Sequence, residues 1–382
     1  MGPYPIAEMC EQLIQLANIN SHVKNRSGVQ ACMQKFVEFA DPLGATTQWV
    51  DLPPTPEGLH LPPLLTLKKR EKLSTQLLFV GHADTVFTEE SPFQTCEAKN
   101  GKLYGPGVAD MKGGLIVLLH TLLELEKDAS FQKMGWEIVI VPDEEIGSPS
   151  SRAYLEKIAT QFTLGLVFEP ALPDGSVVME RGGSKNFLIT AKGETAHVGR
   201  DPKGGKSALL TLARLTERLH SLSTDALNVH VGTLHSGEVL NAVPDQGELK
   251  FNVRSFDPEL FENIDQQIKN LINDLEKEEG VELTLELLNI RPPKPANRET
   301  RTLYSRLKEL AHDKNIPLEL TSSGGVSDAN TLEAVGLPTL DTLGVVGGHL
   351  HTTKEYMEIA SLAERADLTK SLILDFLSRS QQ

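Results

Sequence analysis

Apolar residues fall along this chain in short unbroken runs and in longer periodic stretches, and the two kinds alternate. QLLFV at 76–80, WEIVIV at 136–141, LGLVF at 164–168 and PTLDTLGVV at 338–346 are continuous enough to be strands buried on both faces. MKGGLIVLLHTLLELEK at 111–127, residues 302–315 and residues from about 354 to 379 carry apolar positions at helical spacing. The amino-terminal MGPYPIAEMCEQLIQLANI reads as an amphipathic helix. Strands separated by helices predict an α/β domain whose mixed, largely parallel sheet is flanked by helices.

From about 184 to 291 the rhythm changes. NFLITAKG reads as a strand, GKSALLTLARLTERLHSL as a helix, NVHVGTLHSG and GELKFNVRS as two strands, PELFENIDQQIKNLINDLEKE as a helix and VELTLELLNI as a strand. That βαββαβ order is the ferredoxin-like split arrangement. It stops at RPPKPANR, where three prolines within 291–298 cannot continue a ladder. The expected organisation is therefore a domain made of 1–183 and 293–382, with 184–292 inserted into it. The Pro-rich DLPPTPEGLHLPP at 51–63 lies inside the α/β rhythm and reads as a surface loop. No internal repeat or low-complexity tract interrupts the pattern.

Composition narrows the function classes. A length of 382 residues exceeds what one core usually serves, which agrees with two domains. A formal charge of −15, with no clustered basic residues, argues against binding a phosphate backbone, so nucleic acid is not an expected partner. No apolar run approaches the roughly 18 residues that span a bilayer, and the amino terminus lacks the basic and apolar regions of a signal peptide. No membrane association and a cytoplasmic location are expected. Cys10, Cys32 and Cys96 are odd in number and not paired by spacing, which fits reduced thiols.

Metal-ligand and acid/base residue types follow the strand runs. QLLFV leads into GHAD with His82 and Asp84, WEIVIV into PDEE with Asp143, Glu144 and Glu145, LGLVF into Glu169, and LGVVGG into HLH with His349 and His351. LYGPGVADMKGG places Asp110 just before a helix. Open parallel sheets bind ligands beyond the carboxyl ends of their strands, so these groups should converge. Histidines and several carboxylates without a thiolate suit Zn²⁺, or Co²⁺ or Mn²⁺ in its place. Two ions ~3.5–4 Å apart that share a carboxylate would account for so many acids. Neighbouring side chains on a turning segment point different ways, so one of Glu144 and Glu145 can bind metal while the other serves as general base. Two decoys are dismissed: GRDPKGGKS has Arg200 where a phosphate-binding loop needs glycine, and GPGVAD has Asp110 where a dinucleotide fingerprint needs its third glycine.

Taken in order, GHADTVF, GPGVADMKGG, PDEEIGSPSSR, FEP, ETAHVGRDPKGGKSA, NAVPDQGELKFNVR and GGVSDANTLEAVGLPTLDTLGVVGGHLHTTKEYMEI resemble the glutamate carboxypeptidase (carboxypeptidase G) branch of the co-catalytic zinc peptidases. That superfamily also contains aminoacylase, acetylornithine deacetylase and succinyl-diaminopimelate desuccinylase. The resemblance implies a zinc-exopeptidase-like fold and a two-zinc amidohydrolase acting on a peptide or N-acyl amino acid with a free C-terminal carboxylate. It also implies a homodimer formed through the inserted domain. It makes His82 and Glu169 ligands of one zinc, Glu145 and His351 ligands of the other, and Asp110 the bridge. The spacing to TTKEYMEI favours His351 over His349.

Asp84 would orient His82, Glu144 would act as general base, and the Asp110–Met111 bond resembles one that is cis in this family. His197 resembles the histidine that stabilises the oxyanion from the partner subunit, with Asn241 near it. Arg254 resembles the arginine that holds the substrate carboxylate, and Gly324 and Gly325 resemble a loop whose backbone amides approach the same group. The sequence departs from some relatives at MERGGSKN, where Gly182 stands in place of a basic residue. A deacylase of acetylornithine or succinyl-diaminopimelate is the alternative with the same chemistry, and a catalytically silent binding protein is the alternative without it.

Overall fold

A computed structural model describes residues 4–201 and 203–380. Along the chain come helices α1 (Ile6–Ala17) and α2 (Arg26–Ala40), strands β1 (Thr46–Val50), β2 (Leu64–Lys69), β3 (Gln76–His82), β4 (Glu97–Lys99) and β5 (Lys102–Tyr104), and then α3 (Lys112–Leu125). β6 (Gly135–Val141), α4 (Arg152–Ala159), β7 (Leu164–Val167) and β8 (Val177–Arg181) follow. Next are β9 (Gly183–Lys192), α5 (Ala208–His220), β10 (Leu227–Ser236), β11 (Gln246–Ser255), α6 (Pro258–Glu279) and β12 (Glu282–Arg291). The last part holds α7 (Arg298–Asp313), β13 (Leu320–Ser323), α8 (Asp328–Ala334), β14 (Thr339–Leu340), β15 (Gly347–Gly348), β16 (Tyr356–Glu358) and α9 (Ser361–Ser380). The chain divides into two compact units, one of Met1–Glu180, Ala296–Ser322 and Ser327–Gln382, the other of Arg181–Pro295 and Ser323–Val326.

In the first unit a six-stranded sheet runs β1-β2-β6-β3-β7-β14. The pairs β3/β6, β3/β7 and β7/β14 are parallel, while β1/β2 and β2/β6 are antiparallel. The two-residue period sorts its apolar side chains onto two faces. Leu77, Phe79, Trp136, Ile138, Ile140, Leu164 and Leu166 join one cluster with α1, α2, α3, α7 and α9, whereas Leu78, Val80, Val139, Val141 and Val167 join another with α4 and α8. Burial on both faces is why these runs are continuous in sequence. Helix α3 is buried from Lys112 through Leu122, so its apolar residues surround it instead of forming a stripe. Each fully buried Leu, Ile or Phe adds roughly 1.5–3 kcal/mol.

Two expectations change. The run 338–346 forms only the two-residue β14, because Thr342 takes φ 58° and its hydroxyl accepts from Val178 N at 2.7 Å. The chain then docks on the end of β7, with Leu343 N donating to Val167 O at 3.2 Å and Gly344 N to Glu169 O at 2.9 Å. The last helix begins at Ser361, not near 354, because Tyr356–Glu358 pairs with β5 as a strand of the sheet β15-β16-β5-β4.

The second unit has an antiparallel sheet ordered β10-β11-β9-β12. Alternate residues Phe187, Ile189, Ala191, Leu249, Phe251 and Val253 pack with Leu212, Leu215 and Leu219 of α5 and Ile264, Ile268 and Ile272 of α6. One covered face and one open face give the alternating pattern read as strands. Helix α6 is bounded by its local chemistry: Asp257 accepts from Glu259 N and Leu260 N, Pro258 opens the first turn, and Gly280 closes it at φ 65°. Residues Ser323–Val326, which the sequence reading kept with the larger domain, cluster with this unit.

Candidate metal centre

In the first unit, His82 is the last residue of β3, Glu145 lies in the turn after β6, Glu169 follows β7, Asp110 precedes α3, and His351 sits between β15 and β16. Their ligand atoms meet. His82 Nε2 is 3.2 Å from Asp110 Oδ1 and 3.9 Å from Glu169 Oε1. His351 Nε2 is 3.3 Å from the other Asp110 oxygen, Oδ2, and 3.1 Å from Glu145 Oε2. Ligand atoms of His82, Asp110 and Glu145 all lie within 4.8 Å of one another, as do those of His82, Glu144 and Glu169. Asp110 thus presents one oxygen to each histidine. His349 instead lies against Tyr356, with ring centroids 5.8 Å apart. The Asp110–Met111 peptide is cis.

Asp84 is fully buried and organises the acids around it. Its Oδ1 and Oδ2 accept from the backbone N–H groups of Glu144 at 3.2 Å and Glu145 at 3.0 Å. His82 Nδ1 lies 3.0 Å from the Asp84 carbonyl and 3.4 Å from its Oδ1, so carbonyl and carboxylate together fix the ring. Asp143, the first of the three consecutive acids, turns inward. It accepts from Ser150 N, Ser151 N and Ser151 Oγ, and burial above all raises its carboxyl to about 6.

The electrostatics describe a site short of positive charge. Burial raises Glu145, and the nearby Asp110 adds to it, bringing the carboxyl up to about 7. Burial and Asp110 likewise push Glu169 well above the usual carboxylate range. Hydrogen bonds that its ring donates to Asp110 and Glu145 lift His351 to about 11. Burial opposes a charged His82, yet Asp110 and Asp84 overcome it and raise that imidazole too. Burial also opposes an ionised Asp110, but its bonds to His351 and His82 hold it below the carboxylate range. A divalent cation supplies the charge this cluster lacks. The donor set fits such an ion: imidazole nitrogens and carboxylate oxygens stand 3.1–3.3 Å apart, close to the ~3.4 Å edge of a tetrahedron with ~2.1 Å metal–ligand bonds. The three cysteines are unpaired and absent from both groups.

The other candidate residues belong to the second unit. His197 bridges Ala242, and Val198 N donates to Asn241 O at 3.2 Å, which sets exposed His197 and Asn241 side by side on neighbouring segments. Arg254 Nε donates to Asn252 Oδ1 at 3.0 Å and its Nη1 to Gly324 O at 2.5 Å. Arg181 Nη1 reaches Gly325 O at 3.1 Å, while Gly325 N donates to Ser323 Oγ at 3.1 Å. In this loop the carbonyls of Gly324 and Gly325, not their amides, face the guanidinium groups.

Sequence reasoning left one residue of the first unit without a role. Glu355 is fully buried, and its Oε1 accepts from Ala109 N at 2.9 Å and Asp110 N at 3.1 Å. Its neighbours in TTKEY are mostly polar, so the sequence carried no signal for it.

A family model described as Peptidase family M20/M25/M40 matches residues 78–375. Carboxypeptidase G2 of Pseudomonas sp. (strain RS-16) is 28% identical over 311 residues, covering 78% of this chain and 73% of that protein. Succinyl-diaminopimelate desuccinylase of Legionella pneumophila (strain Lens) is 26% identical over 355 residues, covering 87% and 89%. Among solved structures, the aminopeptidase PepT from Bacillus cereus ATCC 10987 superposes with a TM-score of 0.77 at 21% identity, over 97% of this chain and 99% of that one. It shares the α/β fold with its mixed sheet. No helix of the described residues is long and apolar enough to cross a membrane.

Proposed function

Because the chain belongs to peptidase family M20/M25/M40 and is therefore a metal-dependent hydrolase, we propose that it cleaves the amide bond of a peptide or N-acyl amino acid bearing a free C-terminal carboxylate, as a glutamate carboxypeptidase does. The observation that carries this reading is Asp110, whose two oxygens face two different histidines, as a carboxylate shared by two ions requires. His82 and Glu169 would hold one ion, Glu145 and His351 the other, and Asp110 both. Zn²⁺ suits this nitrogen and oxygen set, with Co²⁺ or Mn²⁺ as functional replacements. When bound, the pair would act as Lewis acids on the scissile carbonyl and on the attacking water.

The chain's own residues supply the rest. Glu144, whose backbone Asp84 pins beside Glu145, takes a proton from the attacking water on its carboxylate and delivers it to the leaving nitrogen. Arg254, held by Asn252 and Gly324, presents a planar two-pronged donor to the substrate carboxylate, with Gly324 and Gly325 shaping that loop. His197, with Asn241, stabilises the developing oxyanion from the partner subunit of a homodimer formed through residues 184–292. A cytoplasmic location completes the reading, and the unpaired cysteines support it.

The relatives supply a second reading, since the chain is nearly as similar to desuccinylases as to carboxypeptidase G2. The test is hydrolysis by metal-stripped protein reconstituted with Zn²⁺, Co²⁺ or Mn²⁺. Folyl-glutamate, dipeptides, N-acetyl amino acids, acetylornithine and succinyl-diaminopimelate are compared with their C-terminally amidated counterparts. The proposal expects turnover of N-acyl glutamate or dipeptide, lost on amidation, and a raised KM in Arg254→Ala. Turnover confined to acetylornithine or succinyl-diaminopimelate selects the second reading. Equal turnover of amidated substrates removes Arg254 from its role.

A further inference from the structure

Glu355 is a carboxylate with no solvent exposure, and among the described residues its Oε2 has no hydrogen-bond partner. Its other oxygen accepts from two consecutive backbone N–H groups, those of Ala109 and Asp110. Burying an acid is costly unless something is gained by its position. What it gains here is a tie between two loops. The Glu355 backbone N donates to Thr352 O at 3.1 Å, and Thr352 N and Oγ1 donate to His349 O at 3.2 and 2.7 Å, which closes residues 349–355 into one compact turn around His351. Gly105 N donates back to Glu355 O at 3.3 Å. The segment that carries Asp110 is therefore laced to the segment that carries His351 at three points, and the side chain of Glu355 makes two of them.

We infer that Glu355 is a positioning residue of the metal centre: its Oε1 fixes the backbone of Asp110 at the distance from His351 that lets one ion be held between them. The inference rests on the ligand assignment proposed above. His82 and Glu169 follow the sheet strands β3 and β7, so the ion they hold leans on this tie only through the shared Asp110. The ion held by Asp110, Glu145 and His351 leans on it twice, because the tie joins the segments of Asp110 and His351. Loss of the acceptor therefore weakens one ion more than the other, which a general loss of stability would not do.

The experiment is Co²⁺ titration of metal-stripped full-length protein, followed by visible absorption and by competition with a chelator, for wild type and Glu355→Ala, Glu355→Asp and Glu355→Gln. Wild type should take up two ions per chain. Glu355→Ala and Glu355→Asp, the latter too short by one methylene to reach both N–H groups, should bind the first ion within a few fold of wild type and the second about 10–100-fold more weakly, with an altered Co²⁺ spectrum. Glu355→Gln keeps an oxygen in place and should restore the second ion to within a few fold. If Glu355→Ala does not fold, the contrast between the Asp and Gln variants decides. Equal affinity for both ions in the Asp and wild-type proteins overturns the inference, as does a Gln variant as weak as the Asp variant. Failure of wild type to bind two ions would instead overturn the ligand assignment.

Discussion

Replacing Asp84 with asparagine tests how the centre is held together. The Asp84 carboxylate is fully buried and accepts two backbone N–H bonds, from Glu144 at 3.2 Å and Glu145 at 3.0 Å. Asparagine retains one acceptor oxygen and turns an NH₂ group toward the second N–H, so one charge-assisted bond is lost outright, at about 1.5–3 kcal/mol. The surviving bond falls to a neutral acceptor and loses roughly half its strength. The expected cost is about 2–4 kcal/mol, a large part of the ~5–15 kcal/mol by which domains are stable. Both tryptophans, Trp49 and Trp136, lie in the unit that holds the centre, so denaturant unfolding of metal-stripped protein followed by tryptophan fluorescence reports that unit. The same substitution frees the turn that carries Glu144 and Glu145, and chelator competition should show metal affinity reduced about 10–100-fold. An Asp84→Asn protein with an unfolding free energy within about 0.5 kcal/mol of wild type and unchanged metal affinity would refute this account of the turn.

Glu144→Gln should lower kcat by about 10²–10⁴-fold while two metal ions remain bound, and a variant with wild-type kcat would remove Glu144 as general base. Gly114→Ala places a Cβ 1.9 Å from the Phe168 carbonyl, a backbone atom that cannot swing aside; it should destabilise by about 1–3 kcal/mol and displace neighbouring Glu169, seen as weakened metal binding, and a silent substitution would contradict the packing. His120, buried and 2.8 Å from Gln12 Oε1, has its imidazole pushed down to about 4 chiefly by burial. Between about pH 6.5 and about 4 the unfolded chain therefore binds more protons than the folded one, so acidification should cost up to about 3 kcal/mol that His120→Gln does not show. Parallel stability–pH curves for the two proteins would refute it.

The candidate ligands stood out in sequence because metal-binding residue types follow the strand runs, and the family resemblance chose among them. QLLFV and WEIVIV are buried on both faces, so the first polar residues after them, His82 and the acids at 143–145, must stand at the sheet's edge where a site can form. The run PTLDTLGVV misled for a related reason: apolar residues also line irregular backbone when that backbone is buried, and Thr342 at φ 58° supplies through its hydroxyl the acceptor that a strand partner would have given. Glycines were visible but their neighbours were not. Gly344 and Gly114 press from two elements on the carbonyl of Phe168, at 2.4 and 1.9 Å from where a Cβ would stand, and so set the backbone that leads into Glu169.

Burial of acids was the least readable feature, because an aspartate or glutamate has the same letter on a solvated helix as inside a core. Asp143 stands between a strand and two acids of the centre, yet its oxygens go to Ser150 and Ser151, and it shapes the turn without facing an ion. Glu355 lies in a polar stretch, TTKEY, that looks like a surface loop. Both are fully buried, and both accept from backbone N–H groups of segments next to candidate ligands. An acid that caps backbone in this way needs no fixed spacing from its partners in sequence: Glu355 and Asp110 are brought together only when β16 pairs with β5. The candidate ligands are thus specified locally, by strand ends and turns, whereas the distances between them are specified by long-range closure. Substitutions at the two kinds of residue should separate accordingly, with ligand changes abolishing an ion and changes at Asp84, Asp143 or Glu355 weakening it while leaving every ligand in place.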